Sequence, residues 1–441
     1  MKNAIKIGGN SRFLKINPLI LFVFCIFLYP PKLISAPFLI PAIIYIVSII
    51  YILLNWKILL DACLRQRKII FLAVVIFIVS LIVPILYATD DFSYAHLAAG
   101  YFFKKGIIYL FLLCLLSKRY GKDKLLYHFL YYFAVTHFIY VIGTLILVSI
   151  PSFQNFWFNI FNKEAEDVFL RSSAYTFRIG WQGFAGFTLT LNCTISIIFL
   201  LFLRYGLKVR LVTGKQFAIL FVGCLAGNMF YGRIGLVVTL LVTAIAIIFW
   251  NRKHLGRIAL FITIPIVCVS ALNFLKDLPY FSSWYNWMSR PIVNLINYGE
   301  FDDSSFDRLQ EMNQVEISSD TFLFGDGIYN EDDKYYMSTD AGFVRNILFW
   351  GIFGAILSYG LVLYSIYQIR KISKIMMLEL LITFLAFEYK GSIYYEFILI
   401  GFILMIGFYA SDVNYRLKRN DSSDSQDDKF LIAENEKNER K

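Results

Sequence analysis

The chain is punctuated by apolar runs of about the length a helix needs to cross a bilayer, and no other feature restricts its fold so tightly. A helix rises about 1.5 Å per residue, so roughly 20 apolar residues span a hydrocarbon core. Runs of this kind lie at about 17–34, 37–54, 69–87, 96–116, 125–150, 183–203, 217–231, 234–250, 258–274, 346–367, 375–389 and 393–410. The expected fold is an all-α polytopic membrane protein with about 12 transmembrane helices.

Composition agrees. With 58% hydrophobic and 17% charged residues, the chain is too apolar for a soluble globule of ordinary make-up. Its net charge of +11 does not point to nucleic acid, because the Lys and Arg residues are spread through short loops rather than gathered in one patch. The cysteines (Cys25, Cys63, Cys114, Cys193, Cys224 and Cys268) sit in apolar runs or, for Cys63, in a short basic loop, so no disulfide framework is implied. Basic residues before the first apolar run resemble a secretory signal, but a second run follows almost at once with no small-residue cleavage site between them. The first run is expected to be retained.

Charge also orients the chain. Segments 1–16, 55–68, 117–124, 204–216, 251–258, 368–374 and 411–441 hold roughly two thirds of the 42 Lys and Arg residues, which assigns them and both termini to the cytoplasm. Two longer loops, 151–182 and 275–345, then lie outside. The expected organisation is a membrane domain over 1–274, a large extracytoplasmic loop over 275–345, a second membrane portion over 346–410, and a polar, disordered cytoplasmic tail over 411–441.

Candidate chemistry concentrates at the outer loops. Arg233, in Tyr231-Gly232-Arg233-Ile234-Gly235, lies between two apolar runs with no room for a real loop. A guanidinium so close to hydrocarbon is costly unless it snorkels to the interface or meets a partner. Facing inward, it would be a fixed cation for an anionic lipid-linked group, since the planar fork of arginine suits phosphate and stays charged. Arg171, Arg178, Arg290, Arg308 and Arg345 are the other outer arginines, and any one of them alone reads as a solvated or interface-anchoring charge. Arg308 has Asp302, Asp303, Asp307 and Glu311 around it, so a local ion pair explains it simply. The large loop is otherwise strongly acidic, which makes a cation within it informative.

Asp326, within Gly325-Asp326-Gly327, and Asp340, in Asp340-Ala341-Gly342-Phe343-Val344-Arg345, are the candidate carboxylates for a general base or for orienting an acceptor. The glycine-flanked one also reads as a tight turn. Glu331-Asp332-Asp333 offers oxygen ligands for a divalent cation but reads first as a solvated loop tip. There is no zinc-type spacing and no phosphate-cradling glycine loop. His128 and His137 fall among tyrosines on one apolar run, where hydrogen-bonded packing is the default. Trp284, Tyr285, Trp287, Tyr335 and Tyr336 form an outer aromatic group able to stack on sugar rings.

The whole layout resembles the O-antigen polymerase and ligase superfamily. The resemblance is carried by the Gly-Arg-Ile-Gly turn at 232–235 and by 322–354, where Gly325-Asp326-Gly327 precedes Asp340-Ala341-Gly342-Phe343-Val344-Arg345 and Trp350-Gly351-Ile352-Phe353-Gly354. It implies a C-type glycosyltransferase fold in the bacterial inner membrane. It also implies action on undecaprenyl-pyrophosphate-linked oligosaccharides with neither metal nor nucleotide-sugar cofactor, and a chain-length regulator protein as a candidate partner. Arg233, Arg178 and Arg345 map onto the superfamily's arginines. Ligases of the superfamily carry a histidine in the large loop; residues 275–345 contain none, which favours a polymerase over a ligase. A lipid-linked oligosaccharide flippase is the rival of a different class. Such a transporter is expected to keep short loops and to place ionisable groups near mid-membrane.

Overall fold

The expected helices are present in the computed structural model, which describes residues 14–161, 177–207, 209–250, 282, 284–290, 304–331 and 334–411. Helix α1 (Pro18–Leu28) starts where the Asn17 side-chain oxygen accepts from the amides of Leu19 and Ile20, at 3.0 and 3.4 Å. Pro18 follows it, in a first-turn position that needs no N–H donor. The helix ends far short of residue 34. Pro30 and Pro31 follow Tyr29, and a proline removes a donor while barring helical geometry from the residue before it.

Helices α2 (Leu39–Asn55), α3 (Leu60–Arg65), α4 (Arg67–Tyr87), α5 (Tyr101–Tyr120) and α6 (Leu125–Ser149) follow. The segment after α6 opens with α7 (Pro151–Ile160) and closes with an antiparallel hairpin of β1 (Ile179–Gly180) and β2 (Gly183–Phe184). Next come α8 (Phe187–Leu201), α9 (Gly214–Tyr231) and α10 (Arg233–Trp250). The long polar segment contributes α11 (Ser304–Asn313), α12 (Ser319–Phe324) and a hairpin of β3 (Asn330–Glu331) and β4 (Lys334–Tyr335). Helices α13 (Gly342–Gln368), α14 (Lys374–Lys390) and α15 (Tyr394–Ala410) complete the bundle.

Each expected run coincides with a helix except 258–274, which lies outside the described residues. Among the described residues, seven helical segments are long and apolar enough to cross a membrane. The chain is thus an all-α protein of multi-pass membrane character. Helices α6, α8 and α15 are buried over most of their length, whereas α2 exposes Ile43, Ile46, Ile50 and Leu53, as suits a helix facing lipid. The five described cysteines are free thiols.

Small and polar residues let the helices approach closely. A Cβ on Gly235 would lie 2.2 Å from the Thr190 methyl and 2.6 Å from the Asn228 side-chain oxygen, so the glycine after Arg233 admits α10 to α8 and α9. Asn228 in turn donates to Thr239 across 2.7 Å. His137 is buried as expected for a packing histidine, with Tyr29 at 2.5 Å, the Phe133 carbonyl at 2.7 Å and Ser196 at 3.0 Å.

One joint shapes the end of the bundle that bears the outer loops. Helix α13 breaks at Trp350 and Gly351, the latter at φ 70°. The carbonyls of Leu348 and Phe349, which would otherwise feed the next helical turn, accept instead from the amides of Asp326 (2.7 Å) and Gly327 (2.9 Å). Gly325 and Gly327 also have positive φ, and a Cβ on Gly351 would sit 2.2 Å from the Leu323 carbonyl oxygen. The Gly-Asp-Gly turn and the Trp-Gly break are therefore two halves of one interlock. A strained residue of this kind costs on the order of 1–3 kcal/mol before any clash is counted. Gly351→Ala should lower the melting temperature of the purified protein by several degrees. Gly360→Ala, on the same helix with nothing within 4 Å of the added carbon, should leave it unchanged or slightly raised. Equal losses in the two variants would show that the joint is not special.

Candidate functional site

Arg178, Arg233, Arg308 and Arg345 fall into two groups. The first is built on the β1–β2 hairpin and the start of α10. The hairpin is pinned by Thr144, whose hydroxyl donates to the Ile179 carbonyl at 2.7 Å, and by Trp181, whose indole N–H donates to the Tyr29 carbonyl at 2.8 Å. The amide of Ala185 bonds the Arg178 carbonyl at 2.7 Å and fixes where that side chain begins. Arg178 and Arg233 then converge on a single indole: their guanidinium carbons lie 5.1 and 4.7 Å from the Trp287 ring centroid. Trp287 thus holds two arginines that are 55 residues apart in sequence. Trp284, by contrast, is buried against Phe177 and Phe230 and offers no open ring to a sugar.

The second group surrounds the start of α13. Arg345 is only 6% exposed. One of its terminal nitrogens donates to the Tyr329 carbonyl (3.0 Å) and the Asn330 side-chain oxygen (2.7 Å). The rings of Tyr329 and Tyr335 lie 3.5 and 4.3 Å from its guanidinium carbon. Beside it stands Asp340, whose Oδ1 is buried without a hydrogen-bond partner. Burial pushes the Asp340 carboxyl above its ordinary range, against the pull of Lys390, Arg345 and Arg308. Arg308 reaches this group from α11, donating to Glu311 (3.1 Å) and to the Ser338 carbonyl (3.2 Å). The Asn313 side chain bonds the Tyr389 carbonyl at 3.2 Å, so α11 is held over the end of α14.

A connected layer of hydrogen bonds underlies this group. The Tyr94 hydroxyl donates to Asn346 (2.7 Å), the Asn346 amide to Tyr359 (2.7 Å), and the Tyr359 hydroxyl to Glu388 (2.8 Å). The other Glu388 oxygen accepts from the Ile393 amide at 2.7 Å. A Cβ on Gly342 would come within 2.3 Å of the Glu388 carboxylate, so the glycine that opens α13 is what allows this approach. Asp91, in the turn after α4, anchors the strand that holds Arg345: it accepts from the amides of Tyr329 (2.5 Å) and Asn330 (2.8 Å). Burial works to raise the Asp91 carboxyl, but hydrogen bonds from Ser93, Asn330 and Tyr329 outweigh it and hold it low.

The two groups are linked through α14, which packs against both α10 and α13 and ends at Lys390. Arg233, Lys390 and Arg345 therefore stand at the same end of three neighbouring helices. Of the other sequence candidates, Asp326 is occupied in holding its turn, accepting from Thr321 (2.8 Å) and Tyr336 (3.1 Å). Arg290 is exposed at the end of the helical stretch 284–290, and Arg171 lies outside the described residues. Among the described residues no group of His, Cys, Asp and Glu is arranged to hold a metal. Sequence reasoning missed Glu388, Lys390 and Asp91. The signal for the first two was present as a carboxylate and an amine within the last turn of a largely apolar helix. No family model matches the chain, and no curated protein matches it.

Asp91 and Asp340 should shift stability in opposite directions. The depressed carboxyl of Asp91 contributes stability that is complete above its unfolded value of 3.8 and is lost as pH falls through its lower folded value. Asp91→Ala should therefore lower the melting temperature at pH 7, and the gap to wild type should narrow below pH about 4. Asp340 is disfavoured as an anion when folded, so the chain loses stability as pH rises from 3.8 through its raised folded value, and the loss persists at pH 7. Asp340→Asn should raise the melting temperature at neutral pH. A fall would mean that the carboxylate is a structural ion rather than a strained functional group.

Proposed function

We propose that this chain is a polymerase that joins undecaprenyl-pyrophosphate-linked oligosaccharide repeat units into O-antigen or another surface polysaccharide. The observation that carries the reading is the gathering, at one end of the bundle, of Arg178 and Arg233 on Trp287 and of Arg345 and Lys390 about Asp340. Around this core we place a C-type glycosyltransferase fold of 12 spans in the inner membrane, with both termini cytoplasmic and the arginine-bearing end outside.

In this reading a hydroxyl at the non-reducing end of an incoming unit attacks the anomeric carbon of the growing glycan. The carbon–oxygen bond to the lipid pyrophosphate breaks, and its electron pair leaves with the phosphate. The hydroxyl proton passes to Asp340, whose buried oxygen has no competing hydrogen bond and whose raised affinity for a proton suits a base. Arg233 and Arg178 neutralise charge developing on the pyrophosphate, an effect that is largest where water is scarce. Arg345 and Lys390 hold the acceptor side, and exposed Tyr335 offers a ring edge to the sugar. Glu388 and Asp91 position these groups. Arg308 and Arg290 lie further out, where they would meet the glycan rather than the reacting bond.

A flippase is the second reading, and one observation favours it. Both carboxylate oxygens of Glu379, within α14, are buried without a hydrogen-bond partner, the kind of intramembrane ionisable group that transporters use. Reconstituting the pure protein with a lipid-linked repeat unit separates the readings. Polymerisation yields lipid-linked dimers and longer products, whereas a flippase moves the unit across the bilayer without forming a bond. A ligase would need a lipid A core or protein acceptor before any glycan moved. Arg233→Ala should lower dimer formation by about 10²-fold or more at normal protein levels, with Arg233→Lys recovering only part. Undiminished polymer in Arg233→Ala would remove this arginine from the reaction.

A further inference from the structure

At the opposite end of α13 and α14 the two helices diverge and leave a groove of about 370 Å³, lined by Leu363, Tyr364, Ile366, Tyr367, Met377 and Leu381. Its walls are apolar along the helices and become polar at the turn that joins them. Gln368 donates to the Tyr364 hydroxyl at 2.6 Å, and Arg370 both bonds the Tyr367 hydroxyl and lies 3.8 Å from its ring centroid. A guanidinium is thus fixed on a wall residue at the mouth. Lys371 and Lys374 stand in the same turn, Lys371 bonded to Tyr409 at 2.6 Å and Lys374 exposed. No Asp or Glu occurs from residue 341 to 378, and the nearest acid on these two helices, Glu379, is buried with both oxygens unbonded, so it bonds none of the three cations.

An apolar slot that ends at a cluster of cations matches a molecule with an acyl chain and a phosphate. We propose that this groove binds one anionic phospholipid of the leaflet next to the 369–374 turn, with its chain between α13 and α14 and its phosphate on Arg370 and Lys374. The distances agree. Leu363 precedes Arg370 by seven residues, about 10 Å along a helix, which is the upper part of a single lipid chain. The site lies at the far end of α13 and α14 from Asp340 and Arg345, and it stands whether or not the protein polymerises glycans.

The test is native mass spectrometry of the full chain released from detergent after addition of phosphatidylglycerol, phosphatidylcholine with the same acyl chains, or undecaprenyl phosphate. Wild type should retain one phosphatidylglycerol and little phosphatidylcholine. The double variant Arg370→Gln, Lys374→Gln should weaken that retention at least fivefold or so. Leu381→Trp, which fills the groove and leaves the cations in place, should also abolish it; Met377→Trp serves the same purpose if the first variant folds poorly. Equal retention of the two phospholipids would overturn the proposal, as would unchanged retention in the double variant. Retention in both groove-filling variants would overturn it by showing a surface phosphate contact only. Displacement of phosphatidylglycerol by undecaprenyl phosphate would assign the groove to a prenyl chain and overturn it too.

Discussion

Two backbone carbonyls decide how this protein presents its polar end. A carbonyl left unbonded near hydrocarbon costs several kcal/mol, so a helix cannot simply break there. Helix α13 does break, at Trp350 and Gly351, because Asp326 and Gly327 supply their amides to Leu348 and Phe349. That exchange turns the first two turns of α13 into a separate arm, and Arg345 is carried on it. The joint is fastened to the end of α4 and the turn after it as well, through Tyr87 to the Phe324 carbonyl (3.0 Å) and Thr89 to the Gly327 carbonyl (2.9 Å). The placement of Arg345 relative to Asp340 and Glu388 thus rests on a network of main-chain bonds rather than on side-chain packing alone.

Arg345 is held in a way that preserves its charge. A carboxylate at salt-bridge distance would fix an arginine but also cancel its field. Among the described residues Arg345 is fixed by a carbonyl, an amide oxygen and two tyrosine rings, none of which carries a formal charge. Arg178 and Arg233 both lie over the indole of Trp287. Ring faces and carbonyls stabilise a guanidinium by partial charges and leave its net charge available to an anion. Arg308 shows the contrast: it pairs with Glu311, and the two lie exposed at 55% and 65% of their side-chain surfaces.

Much of the helical layout could be read from the chain because crossing hydrocarbon is a local demand, satisfied residue by residue along a run. The meaning of Gly235 was legible in part, since a glycine beside a lone arginine at a helix start signals close approach, although only the structure shows that Thr190 and Asn228 are what it admits. The sequence put Arg178, Arg233 and Arg345 together as the arginines of the superfamily it resembles; that Trp287 joins the first two while Arg345 sits in a separate group was not legible, because it depends on where 284–290 lies. Asp326 was given chemical weight for lying between two glycines, and the same glycines explain why it serves the turn. Asp91 could not be found from sequence. Its importance comes from two amides more than 230 residues away, and no periodicity records such a contact.

The two inner carboxylates beside Arg345 are separated by what fills their lone pairs. Each oxygen of Glu388 already accepts, one from Tyr359 and one from the Ile393 amide. Asp340 has an oxygen with no such donor, next to three cations that raise the local potential without bonding it. Donors fixed on a carboxylate favour its charged form, and burial without a donor favours the protonated one. The chain of donors from Tyr94 through Asn346 and Tyr359 ends on Glu388, whereas Oδ1 of Asp340 receives none.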